Sequence, residues 1–325
     1  MSAQFDVLGI GNAIMDVIAP ISEADLKNLD IAKGGMTLID QKRALDLTKE
    51  FTSRSGDLRE IAGGSAANTL VGIANLGVRA AYIGKVANDK LGQRMAKGFR
   101  EAGVHYATPP LKGGDATARC LVAVTPDGER SMSTFLGASV MFNKKDLVAD
   151  VIKNSNVTYL EGYLFDKDEA KAAFVKASEI AKGAGRDVAL TLSDSFCVDR
   201  HRDSFKELIK NHVDIVFANE AELLSLYETD DFKKAASHIK SHAQTACVTR
   251  SEKGSVIFSG GQTYEIPVCP VNKLVDTTGA GDQYAAGVLA GYAQGLSWED
   301  AGYLGSQCAA EVISHYGARP ELRIF

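Results

Sequence analysis

Short apolar runs alternate with amphipathic stretches of helical period over most of the chain. The runs at 5–10, 80–86, 157–160, 188–192, 215–217 and 246–249 read as strands. Helical patterns occupy 65–76, 89–102, 168–182, 200–210 and 220–227. Gly77 and Gly103 stop the first two, and Asp89 is placed to cap the second. This β-α-β alternation predicts an α/β fold, with a mostly parallel central sheet and helices on both faces. Two regions break the rhythm. Residues from about 17 to 39 carry Gly34-Gly35 and little helical period, and 119–125, Pro126-Asp127-Gly128 and 131–136 predict a hairpin. Both alternate apolar and polar positions, as an antiparallel sheet with one wet face would. The expected arrangement is one unit over residues 1–325, with a small β-structured lid inserted from about 17–39 and 118–136. A second hairpin, 255–259 and 262–266 around Gly260-Gly261, is expected within the core.

Composition narrows the function. The 325 residues are 45% hydrophobic and 24% charged, enough for a large core. A net charge of −5 without a dense Lys/Arg block disfavours nucleic acid or an anionic membrane as partner. With no uncharged apolar stretch near 18 residues and no basic start at 1–6, the sequence predicts a cytoplasmic protein. Five scattered cysteines without Cys-x-x-Cys spacing fit reduced thiols. His238 and His242 lie four apart with no third ligand candidate, so they, like His201 and His212, are expected on solvated helix faces.

The strongest chemical signal is Asp276-Thr277-Thr278-Gly279-Ala280-Gly281-Asp282-Gln283-Tyr284, after a strand-like segment and at the head of a helical stretch. Gly279 and Gly281 allow close backbone approach, and free amides at a helix start suit a phosphate. Asp282 beside such an anion hole can take the proton of an attacking hydroxyl. Gly9-Ile10-Gly11 lacks the third glycine of a dinucleotide fingerprint, with Ile14 in its place. Asn12 and Asp16 at the sheet edge could grip vicinal sugar hydroxyls, although the pair read alone favours an Asx turn with an acidic flank. Gly63-Gly64-Ser65 and Asn68 open a helix where a ligand could approach. Asn219 and Glu222 could hold Mg²⁺ through water, or simply form an acidic helix start.

Together these residues resemble the ribokinase-like (PfkB) family of sugar and nucleoside kinases, over about 5–321. Residues 276–284 resemble its C-terminal signature, 62–77 its glycine-rich N-terminal signature, and Asn219-x-x-Glu222 its Asn-x-x-Glu motif. The resemblance implies a three-layer ribokinase-like sandwich and ATP- and Mg²⁺-dependent phosphorylation of a primary hydroxyl. It implies Asp282 as catalytic base and the Gly279, Ala280 and Gly281 amides as anion hole. Asn219 and Glu222 would organise Mg²⁺ and phosphate, and Asn219, Thr249, Gly254, Asp276 and Thr277 would line the nucleotide. Asn12, Asp16, Gly64, Ser65 and Asn68 would contact the acceptor.

Within the family the likeness extends to adenosine kinases. Gly11-Asn12-Ala13-Ile14-Met15-Asp16 resembles their N-terminal Gly-Asn-x-x-x-Asp, and Arg130 resembles the arginine of their lid strand. Tyr159-Leu160-Glu161-Gly162-Tyr163 resembles the segment whose aromatic residue stacks on the purine. Met36, Tyr163 and Thr278 depart from that pattern, with Met36 and Tyr163 expected to wall the base. The implied partners are ATP and a nucleoside, most closely adenosine phosphorylated at its 5′-hydroxyl to AMP, for a monomer or homodimer. A free-sugar kinase or another purine nucleoside kinase is the alternative. A non-catalytic binding protein is disfavoured by the intact Asp282 string.

Overall fold

The computed structural model describes residues 3–56 and 58–321. Its most apolar runs lie at the centre of a nine-stranded sheet. Strand β1 (Phe5–Ile10) pairs in parallel with β5 (Ala80–Ile83) on one side and β9 (Ser155–Glu161) on the other. Beyond β9 follow β10 (Asp187–Thr191), β11 (Ile215–Asn219) and β12 (Thr245–Thr249), and beyond β5 lies β6 (Val104–Tyr106). The hairpin β13 (Ser255–Ser259) and β14 (Gln262–Ile266) closes one edge, antiparallel as expected.

Successive side chains in these strands point to opposite faces, and each face has its own core. Val7, Val157, Tyr159 and Phe217 enter one cluster, whereas Leu8, Leu160, Leu190 and Val216 enter the other. The helices are α1 (Glu23–Asn28), α2 (Gln41–Ser55), α3 (Ser65–Asn75), α4 (Lys90–Glu101), α5 (Ala149–Lys153) and α6 (Asp168–Gly183). They continue with α7 (Ser195–His212), α8 (Glu220–Tyr227), α9 (Phe232–His242), α10 (Ala280–Ala293) and α11 (Trp298–Val312). Residues of α3, α4, α10 and α11 fill the first cluster, and residues of α6 to α9 fill the second.

The irregular regions form a second, five-stranded sheet, in the order β3 (Met36–Leu38), β8 (Arg130–Phe135), β7 (Ala118–Val124), β2 (Ile14–Pro20), β4 (Arg59–Gly63). It is mixed rather than antiparallel: β2 pairs in parallel with β7, and β3 with β8. The chain between β2 and β7 runs through the core, a crossover long enough for parallel pairing. The sheet also recruits residues outside the expected lid bounds, from Ile14 and from β4. Between 17 and 39 a short helix does form, where the Ser22 hydroxyl accepts the Asp25 N–H. Helix α2 was not legible because only Ala44, Leu47 and Phe51 of its residues are buried, a thin stripe among charges. The strand-like segment before Asp276 is irregular chain, with the Val275 N–H donating to the Ile313 carbonyl at 2.9 Å rather than to a neighbouring strand. No helix among the described residues is long and apolar enough to cross a membrane.

The contact that sets the site is the seam between α3 and α10. A Cβ at Gly72 would stand 2.8 Å from the Ala286 Cβ and would also meet the Gln283 amide oxygen. Gly72→Val should therefore cost roughly 1–3 kcal/mol in chemical denaturation. Gly183, on α6 with nothing within 4 Å, is the control: Gly183→Ala should leave stability unchanged or raise it.

Candidate active site

Gly279 takes φ of 81° to turn the chain into α10, where a Cβ would stand 2.6 Å from the Ala318 Cα. Glycine is required there. No side chain caps α10, unlike α7 to α9, which Asp194, Asn219 and Asp231 cap. The Ala280 N–H turns back to the Thr277 carbonyl at 3.2 Å, and the first-turn amides that follow have no intrahelical acceptor. The macrodipole adds to these donors, so an anion is favoured at this turn.

Asp282 stands in that first turn. The Ser65 hydroxyl donates to its Oδ1 at 2.6 Å and the Asn68 amide to its Oδ2 at 3.1 Å. Ser65 and Asn68 share one face of α3, one turn apart. Gly64 precedes them with φ of 100°, and a Cβ there would strike the Asn12 carbonyl. Burial pushes the Asp282 carboxyl up to about 6, against the two donors, which pull it down. It is a carboxylate at neutral pH, with a proton affinity raised toward that of a useful base.

The Asn12 loop and the start of α3 are held by a residue that the sequence pattern does not single out. Glu161, at the end of β9, is buried and accepts the Asn12 N–H and Asn12 side-chain amide, both at 3.1 Å. Its other oxygen accepts the Ala66 N–H at 2.7 Å, so one carboxylate pins both the Asn12 loop and the start of α3. Burial pushes Glu161 up to about 7. Asp16 likewise rises to about 6 through burial, with Arg130 and Arg319 opposing the rise by their charge.

A cavity of about 370 Å³ lies beside Asp282, and Asn12, Asp16 and Glu161 are not among the residues that line it. Gly64, Ser65, Asn68 and Tyr163 line one side of it, and Thr277, Gly279, Ala280, Gly281 and Asp282 line another. Asn219, Glu222 and Thr249 complete the wall from the carboxyl ends of β11 and β12, the edge where open α/β sheets take ligands. Glu222 spends both oxygens on Asn219, at 3.0 Å on its N–H and 2.6 Å on its side-chain amide. Burial pushes Glu222 up to about 7, with the nearby Asp194 charge adding to the rise.

Other candidates lie elsewhere. Met36 is 57% exposed on the edge strand β3 and does not line the cavity. Arg130 pairs with Asp276 at 2.9 Å and reaches the Thr278 hydroxyl at 3.2 Å, and none of the three lines the cavity. Asp276 is occupied by protein donors, since it also takes the Thr278 N–H at 3.0 Å and the Gly317 N–H at 3.1 Å. Gly254 shapes the turn before β13, where a Cβ would strike the Ile266 carbonyl. Tyr163 donates from its hydroxyl to the Ser193 carbonyl at 3.2 Å while remaining 39% exposed to the cavity. Thr191 and Ser193 were missed, although the carboxyl end of β10 pointed to them. No group of three or more His, Cys, Asp or Glu able to hold a metal occurs among the described residues.

A sequence profile described as pfkB family carbohydrate kinase matches residues 28–324. The chain belongs to that family. Among solved structures, this pfkB kinase is similar to adenosine kinase from Sinorhizobium meliloti. The two share 48% identity over 99% of this chain and 97% of that one, with a TM-score of 0.89. It is 28% identical to adenosine kinase 1 of Arabidopsis thaliana, over 97% of this chain and 96% of the relative. It is 24% identical to 5-dehydro-2-deoxygluconokinase of Clostridium perfringens, over 91% and 90%. The family and these relatives make the chain a kinase with the ribokinase-like fold.

The Asp282 carboxyl has a folded value of about 6 against an ordinary 3.8, so the fold opposes its ionisation. Its contribution to stability therefore falls as pH rises between those values, while the carboxylate form accumulates. The rate should show an acid limb near pH 6. Ser65→Ala removes a donor to the charged form, worth about 1.5–3 kcal/mol, and should move that limb up by about one to two units. A pH–kcat/KM profile of both proteins checks this, with the loss greatest at low pH.

Proposed function

We propose that this kinase transfers the γ-phosphoryl group of ATP to the 5′-hydroxyl of adenosine, giving AMP and ADP. The observation that carries the reading is Asp282, held by Ser65 and Asn68 at the uncapped start of α10 inside the cavity. The 5′-oxygen attacks the γ-phosphorus, its proton passes to Asp282, and the bond to the ADP oxygen breaks. The amides at the start of α10 stabilise the charge on the transferring group. The relatives named adenosine kinase support adenosine as acceptor, with Asn12, Asp16 and Asn68 on the ribose and Tyr163 against the base.

The donor side suits a divalent cation held through water. Glu222 and Asn219 occupy each other fully, so their fit to Mg²⁺ is as acceptors for its water shell rather than as direct ligands. When bound, such an ion neutralises phosphate charge. The second sheet would serve as the lid, and its closure would carry Met36 toward the base.

Asp282→Asn should leave adenosine binding within reach of wild type and lower kcat by about two orders of magnitude or more. A panel of adenosine, other purine nucleosides, ribose and fructose tests the acceptor. Preference for a free sugar would overturn adenosine and leave the transfer chemistry intact. Glu222→Gln should raise the Mg²⁺ concentration for half-maximal rate, because a neutral amide attracts the hydrated ion less. An unchanged Mg²⁺ titration would remove Glu222 from the donor side.

A further inference from the structure

The loop after α11 reaches back into the site. The Gly317 N–H donates to Asp276, and the Ala318 carbonyl accepts the Gln283 side-chain amide at 3.0 Å. The same Gln283 amide donates to the Asn68 carbonyl at 3.1 Å, so residues beside both ends of the site are tied to this loop. The next residue, Arg319, donates from Nε to the Asn68 side-chain oxygen at 3.3 Å. Its Nη2 is buried with no hydrogen-bond partner. A buried guanidinium is costly unless its charge is answered, and an unmet donor adds to that cost. Burial lowers Arg319 to about 10, and the charge of Asp16, with that of Tyr82, offsets this in part, as Arg319 does for Asp16 in turn.

We propose that Arg319 is a positioning residue of the acceptor side, a buried cation that fixes the Asn68 amide toward Asp282 and balances the Asp16 carboxylate. The inference rests on the functional reading above for the roles of Asp16 and Asp282. An asparagine amide can present either end to a neighbour. With its oxygen held by Arg319, the NH₂ end of Asn68 faces Asp282, where it stabilises the carboxylate. Without that hold, the amide can turn its oxygen toward Asp282 and repel it. Nothing in the sequence near Arg319 marks it for this work, because its partners lie about 250 and 300 residues upstream, at Asn68 and Asp16.

The surrounding charges define what a test must separate. Asp16 on β2 is faced by Arg130 from β8, Arg319 from the C-terminal loop and, by burial-raised thiol, Cys120 from β7. Arg319 is faced by Asp16 and by Tyr82 of β5. Asp282 is faced by Ser65 and Asn68 of α3, with the Glu161 and Tyr159 groups of β9 sensing its charge.

Carboxyl-carbon NMR titration of the ligand-free protein, with Asp16→Asn and Asp282→Asn to assign the signals, tests the proposal without turnover. Arg319→Met should raise the Asp16 midpoint by about one unit or more, the usual effect of removing a nearby opposite charge, and should raise Asp282 as well. Arg319→Lys should restore Asp16 while leaving Asp282 raised, since an ammonium keeps the charge but not the planar hold on Asn68. In kinetics, Arg319→Met should raise the KM of the preferred acceptor about tenfold or more, with the ATP KM within about twofold. Unmoved midpoints for both carboxylates, or equal rises in both KM values at every pH, would overturn it. The titration reads the same whichever acceptor the panel selects, so failure of the adenosine reading and failure of this one are separate results.

Discussion

A carboxylate withdrawn from water must find donors, and at Asp282 both come from another helix. Ser65 and Asn68 reach it because α3 packs closely on α10, with Gly72 leaving room for the Gln283 and Ala286 side chains. That proximity in turn needs small residues along the seam, as do Gly287 and Gly305 between α10 and α11, where a Cβ on Gly287 would stand 2.6 Å from the Gly305 backbone. The central sheet provides the platform, and close helix packing above it sets the hydrogen-bond lengths at Asp282. A shift of half an ångström at the seam is comparable with the difference between a strong and a weak hydrogen bond.

The second constraint is electrostatic. Asp282, Glu222, Glu161 and Asp16 are all pushed upward by burial, so the site gathers acidic groups with few cations to answer them. The two that do not face the cavity have internal answers: Glu161 has three N–H donors, and Asp16 has the charges of Arg130 and Arg319. The two that do face it, Asp282 and Glu222, are met by neutral donors alone. Such a surface suits a hydrated divalent cation on one side and a hydroxyl proton on the other, the two positive partners of phosphoryl transfer.

Much of this was legible in the sequence because it is local. Strand runs such as 5–10 and the hairpin around Gly260-Gly261 follow from period and turn chemistry, and the string around Asp282 carries its own glycines. Elements that depend on partners far along the chain were less visible. Helix α2 shows a three-residue buried stripe that only the second sheet explains, and the parallel pairing of β2 with β7 depends on the crossover between them. Glu161 sits inside a quoted motif, yet its role emerges only when Asn12 and Ala66 are brought to it. Met36 was placed by its position in the chain, and an edge strand carries it away from the cavity. Arg319 had no local mark at all.

The ion pair of Arg130 with Asp276 has a consequence for how the two halves communicate. Arg130 belongs to the second sheet, whereas Asp276 holds the Thr278 and Gly317 amides that shape the anion-binding turn. Were that sheet to move, Arg130 would be one link to the turn, beside the chain connection from β4 through Gly64 into α3 and Asp282. Linkage between two sites is reciprocal. Any free energy that a ligand on one side put into displacing Arg130 would reappear as a changed affinity on the other side, and the reverse. A dissociation constant would in that case belong to the pair of ligands, with one value in the empty protein and another in the half-filled one.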